Sequence, residues 1–73
     1  MAASAEPTER TVGERIRDGR HAAGLSQQGL AQALGVYVST VSRWELDLGA
    51  PDLKNRRQLA ELLGGTSTDY AQV

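Results

Sequence analysis

Only three residues, Gly35, Val36 and Tyr37, separate two segments that each carry a helical apolar stripe, and this spacing constrains the fold more than any other feature of the chain. The first segment opens at Ser26, a favourable N-cap residue. It places Leu30, Ala31 and Leu34 on one face, which predicts a helix over Gln27–Leu34. The second, Val38–Leu46, sets Val41 and Trp44 three apart and keeps Ser39, Ser42 and Arg43 off that face. Its β-branched residues and serines are mediocre helix formers, so it needs packing to be a helix. Two helices joined this tightly bury their stripes only by crossing closely. The crossing needs a small residue, supplied by Ala31, and the turn needs one that tolerates positive φ, supplied by Gly35. Leu30, Leu34, Val36, Val41 and Trp44 then form one shared core.

The flanking sequence adds two more helices. Thr11-Val12-Gly13-Glu14 reads as a capping box. Val12, Ile16 and Ala23 share a face and Gly24 is a stop, giving a helix over Val12–Ala23. Gly49, Ala50 and Pro51 mark a loop. Asp52 then caps a helix carrying Leu53, Leu59, Ala60, Leu62 and Leu63, ended by Gly64 and Gly65. Ser67–Val73 has room for one or two turns, with Tyr70 and Val73 spaced to dock on the core. Residues 1–10 are small and polar with Pro7 among them. They read as a disordered arm, and residues 11–73 as one domain. The expected fold is all-α, a compact bundle of four to five short helices.

A chain of 73 residues buries only about 60% of its unfolded surface, so its stability rests on close packing or on association. With no cysteine and one histidine, His21, neither a disulfide framework nor a Cys- or His-based metal site is available, and no metal or cofactor is expected. No apolar run approaches the ~18 residues of a membrane span. The opening residues lack the apolar core of a signal peptide. A cytoplasmic, nucleoid-associated location is the expectation. The net charge of −1 argues mildly against a nucleic-acid partner, where a basic domain is the norm. Over residues 11–63 the balance is +1, so any positive potential is local to one face.

The spacing of the two central helices is that of a helix-turn-helix, whose second helix enters the DNA major groove. The run from Leu25 through Gln27, Leu30-Ala31, Leu34-Gly35, Ser39 and Val41 to Trp44-Glu45 resembles the phage repressor/Cro-type helix-turn-helix family. The resemblance continues through Pro51 and Leu59–Gly64 and reaches back to Arg20, covering roughly residues 12–64. It implies a lambda-repressor-like DNA-binding domain in a sequence-specific, double-stranded DNA-binding transcriptional regulator of bacterial or phage origin. It also implies that Val38, Ser39, Ser42 and Arg43 read base edges and that Gln27 touches a phosphate or a base. Arg20 and Glu45 would lock the first helix to the end of the third, and the amides around Asp52 and Leu53 would grip a phosphate.

Each position has a plainer reading. Arg43 either forks onto a guanine or is an ordinary surface arginine; Val38 either meets a thymine methyl or is merely exposed. Gln28 neighbours Gln27 and shares its choices. Tyr37 stands where the family usually has a short hydroxyl cap, and it either reaches a phosphate or shields the turn. Trp44 reads as core rather than as a stacking platform, and His21 as exposed. Asp47 stands where the family often has glycine, and aspartate tolerates the left-handed conformation. Gly29 replaces a glutamate that would complete a capping box with Ser26. Arg56 and Arg57 stand where the family carries apolar residues. With Lys54 they make a basic patch, either gripping phosphates or lying solvated with the Arg56 stem along the core.

No catalytic triad, metal cluster or phosphate loop is present, so an enzyme is not expected. One recognition helix reads only a few base pairs, which points to a homodimer on DNA, weak or monomeric in solution, with Leu62–Val73 as its candidate contact. The alternative is a protein-interaction module, such as an antitoxin, in which the helix-turn-helix is secondary. Its patch would be Tyr37 with Val38, or Tyr70 with Val73. Salt-dependent DNA affinity separates the two.

Overall fold

Side-chain caps decide where three of the four helices begin. In the computed structural model, which describes residues 10–71, α1 spans Val12–Ala22, α2 Gln27–Leu34, α3 Val38–Glu45 and α4 Leu53–Leu63, followed by a 3-10 turn at Ser67–Tyr70. Residues 1–9 of the expected arm, and Val73, lie outside the described residues. Thr11 Oγ1 accepts from the Glu14 amide at 3.1 Å and Glu14 Oε1 from the Thr11 amide at 3.2 Å, completing the capping box. Ser26 Oγ accepts from the Gly29 amide at 2.9 Å, and glycine returns no second bond. Asp52 Oδ1 accepts from the Asn55 amide at 2.9 Å. Helix α3 starts at Tyr37 with no side-chain cap, so packing carries its beginning.

The first three helices end in the same way. Gly24, Gly35 and Asp47 all adopt left-handed backbone, with φ of 74°, 73° and 59°. Around Gly35 the two reversing bonds run from its own amide to Gln32 O and from the Val36 amide to Ala31 O. Equivalent pairs join Gly24 and Leu25 to His21 and Arg20, and Asp47 and Leu48 to Trp44 and Arg43. These are the paired bonds of the Schellman motif. They turn the chain sharply enough for α2 and α3 to cross after a three-residue connection.

The core consists of Ile16, Leu30, Ala31, Leu34, Val41, Trp44, Leu59 and Tyr70, with Val12, Leu25, Val36, Ala60 and Leu63 half-buried against it. Among the described residues there is no strand, and the fold is all-α. Helix α3 packs on both α1 and α2, and α4 with the 3-10 turn closes the remaining side. Helix α1 approaches α3 at Gly13, where a Cβ would lie 2.5 Å from Trp44 O and 2.6 Å from Glu45 O. The amide-rich start of α1 therefore meets the carbonyl-rich end of α3, a favourable pairing of helix dipoles.

Three expectations change. Helix α1 stops one residue early and Ala23 is exposed, so its inward face is Val12, Gly13, Ile16 and the Arg20 stem. In α4 only Leu59 is fully buried, while Leu53 and Leu62 are 46% and 42% exposed. Tyr70 docks on the core as expected, and its hydroxyl donates to Gly64 O at 2.7 Å. It is therefore not free for a dimer contact or a partner-binding patch at the C-terminal end.

Candidate nucleic-acid interface

Helix α3 divides into two faces. Val41, Trp44 and Glu45 point inward and are buried. Ser39, Ser42 and Arg43 fall at i, i+3 and i+4 and share the opposite face, with Val38 one turn before Ser42. Ser39 and Arg43 are exposed, Val38 is 46% exposed and Ser42 is half-buried. Tyr37, just before the helix, is 82% exposed. Gln28 is exposed on the first turn of α2. Helices α2 and α3 pack directly on each other. Leu30, Ala31, Leu34, Gly35, Val36, Val41 and Trp44 form the crossing itself, all buried or half-buried except the turn residue Gly35.

The end of α3 is clamped from two other helices. Arg20 Nε donates to Glu45 Oε2 at 2.6 Å and Nη2 to Oε1 at 3.1 Å, a bidentate pair with both residues buried. Arg20 Nη1 also donates to Leu25 O at 3.0 Å, in the connection between α1 and α2. Gln27 Nε2 donates to Glu45 Oε1 at 3.0 Å. Burial pushes the Glu45 carboxyl up, but the bonds from Arg20 and Gln27 and the charges of Arg20 and Arg17 outweigh it and hold it below the ordinary carboxylate value. The bond to Glu45 raises Arg20 against its own desolvation. The Gln27 amide, which the resemblance places at DNA, is thus half-buried and joined to the pair. One residue from each of α1, α2 and α3 meets in this network.

The loop after α3 makes two further bonds that no local sequence pattern signals. Asp47 Oδ1 accepts from the Gly13 amide at 2.9 Å. Arg43 Nη2 donates to Leu48 O at 3.1 Å, so the guanidinium lies against the loop rather than extending freely.

The basic residues of α4 do not form one patch. Lys54 and Arg57 are three apart and both exposed, whereas Arg56 lies on the far side of the helix and is half-buried. Its Nε is shut away from solvent with no acceptor, and Gln58 Oε1 is likewise buried with no donor. The α4 amide of Asn55 is already bonded to the Asp52 carboxylate, which occupies the positive end of the helix dipole. Among the described residues no group of His, Cys, Asp or Glu is arranged to hold a metal. No helix among them is long and apolar enough to cross a membrane.

The chain matches a family model described as helix-turn-helix over residues 16–70, from the buried Ile16 of α1 through Tyr70. It is 38% identical over 58 residues to the SPbeta prophage-derived uncharacterized HTH-type transcriptional regulator YonR of Bacillus subtilis (strain 168). That alignment covers 80% of this chain and 53% of the relative, so the chain spans about half the relative's length. With the crossing of α2 and α3, the Arg20–Glu45 clamp and these matches together, the chain belongs to the phage repressor/Cro-type helix-turn-helix family.

Proposed function

We propose that the chain is the DNA-reading domain of a transcriptional regulator that recognises a double-stranded operator in the major groove. The observation that carries this reading is the division of α3. Val41, Trp44 and Glu45 are spent on the core and the Arg20 clamp, while Ser39 and Arg43 stay exposed and Ser42 half-buried on the other stripe. Serine hydroxyls donate or accept at a base edge, an arginine fork matches guanine O6 and N7, and Val38 suits a thymine methyl. Tyr37, Gln28, Lys54 and Arg57 lie exposed, available to phosphates that set register rather than sequence. Gln27 supports the reading helix through Glu45. The name of the prophage relative supports a role in transcription.

One α3 reads only a few base pairs, so the working form on an operator is a homodimer with its two α3 helices about one helical turn apart. The test is binding to random-sequence duplex at several salt concentrations, comparing wild type with Lys54→Ala/Arg57→Ala and Arg43→Ala. Affinity should fall linearly with log salt, and the double variant should have a slope shallower by roughly one for each phosphate it no longer neutralises. On duplexes selected by the wild type, Arg43→Ala should lose about 1–3 kcal/mol of discrimination at one base pair. Absence of binding at low salt, about 50 mM, would overturn the reading.

A further inference from the structure

We infer that Asp47 is a positioning residue for Arg43: anchored on the Gly13 amide of α1, it holds the loop whose Leu48 carbonyl orients the Arg43 guanidinium for base recognition. The inference rests on the DNA-reading role proposed above for Arg43.

Three helix ends in this fold use the same left-handed turn, and two of them place glycine there, Gly24 and Gly35. Glycine is the residue without steric cost at such a position. The end of α3 carries Asp47 instead, at φ 59°, and its side chain makes a specific bond. Oδ1 accepts from the Gly13 amide at 2.9 Å, across 34 residues of sequence. Gly13 in turn lies where any Cβ would strike the Trp44 and Glu45 carbonyls, so α1 and the end of α3 meet at fixed distance. The carboxylate sits at the start of α1, where the helix dipole favours a negative charge.

The residue after Asp47 is bonded twice to Arg43. The Leu48 amide donates to Arg43 O at 2.9 Å, and Arg43 Nη2 donates to Leu48 O at 3.1 Å. A guanidinium has five N–H donors, so one bond to Leu48 leaves four, enough for a bidentate contact. A free surface arginine loses much rotamer freedom when it docks on a base. One already tethered by its loop loses less, and it approaches from one direction. The chain of bonds from Gly13 through Asp47 and Leu48 thus ends on the group with the most sequence-discriminating chemistry of the α3 face.

The experiment uses wild type, Asp47→Gly and Asp47→Asn, each with and without Arg43→Ala. The probe is a duplex pool selected from a randomised library by the wild type. Asp47→Gly keeps the backbone conformation and removes the anchor; Asp47→Asn keeps an acceptor oxygen. Asp47→Gly should retain wild-type helicity and its salt slope on random duplex. It should lose most of the discrimination at the base pair whose preference Arg43→Ala abolishes, with little change at other positions. Asp47→Asn should retain that discrimination, and Asp47→Gly should have no further effect in the Arg43→Ala background. In the free protein, 15N relaxation at Arg43 Nε should show a more mobile side chain in Asp47→Gly than in the other two. Unchanged discrimination, a loss spread over every position, equal Arg43 mobility, or unfolding of Asp47→Gly would each overturn the inference while leaving DNA reading intact. Absence of wild-type binding to any duplex, with Arg43 still tethered, would instead overturn the DNA-reading role.

Discussion

The α1–α3 region and the α4 region are held to the core by different kinds of contact. In the first, Ile16, Leu30, Ala31, Leu34, Val41 and Trp44 interlock, and polar bonds tie the helix ends together at Glu45 and Asp47. In the second, Leu59 is the one fully buried residue of α4, and Tyr70 is pinned by its hydroxyl to Gly64 O. Arg56 there keeps a buried Nε without an acceptor. Orienting a reading helix needs directional bonds at its ends, because apolar packing alone tolerates small shifts. The α4 region covers the core with fewer fully buried side chains.

The largest expected effect breaks the tight half. Glu45→Ala leaves Arg20 buried without its partner and should cost about 3–5 kcal/mol in denaturant unfolding. Gly13→Ala comes next. Its methyl would meet two backbone carbonyls closer than 3 Å, and the forced separation of α1 from α3 should cost about 1–3 kcal/mol, with weakened DNA affinity even where the fold survives. Arg56→Leu sharpens the contrast in the opposite direction. Removing the orphaned Nε and burying an apolar side chain should stabilise the chain by about 1–2 kcal/mol, read as a rise in Tm.

The smallest effect separates the halves by pH. The folded pKa of Glu45 is lowered, so its contribution is complete above the ordinary value of 4.5 and is lost as pH falls below it. The folded pKa of Tyr70 is raised, by burial and by the Asp69 charge against Arg15, so its contribution is complete below 10.0 and is lost as pH rises above it. Thermal melts should therefore weaken on both limbs. Tyr70→Phe should flatten the alkaline limb and cost about 1 kcal/mol at neutral pH by leaving Gly64 O unpaired.

The readable part of the molecule is the part built from local signals. The Thr11, Ser26 and Asp52 caps, the Gly35 turn and the period of Leu30, Leu34, Val41 and Trp44 all act within a few residues, and the corresponding helices lie within one residue of expectation. The rest depends on approach between distant segments. A glycine inside a helix costs about 1 kcal/mol relative to alanine, and so signals that something passes close by. Of three such glycines, Gly13, Gly19 and Gly29, a Cβ at Gly29 would stay 3.3 Å or more from its neighbours and one at Gly19 would meet the Leu63 side chain at 3.1 Å, while Gly13 is the tight site. Asp47 reads as a tolerable substitute for glycine, because the amide its carboxylate binds lies 34 residues away. The bond from Gln27 to Glu45 is likewise hidden, since a glutamine opening a helix serves equally to bind a phosphate or a neighbouring carboxylate. In α4, nearly consecutive basic residues suggest one patch, but helical rotation puts Arg56 on a different side from Lys54 and Arg57.

The most direct test of DNA reading by the outer face of α3 is to titrate the 15N-labelled chain with a duplex selected from a randomised library and map the amide shifts. The largest changes should fall at Tyr37, Val38, Ser39, Ser42 and Arg43, with flanking changes at Gln28. Leu59 and Tyr70 should stay nearly still. Shifts centred on the α4 region and the 3-10 turn, with the outer face of α3 unmoved, would contradict that assignment.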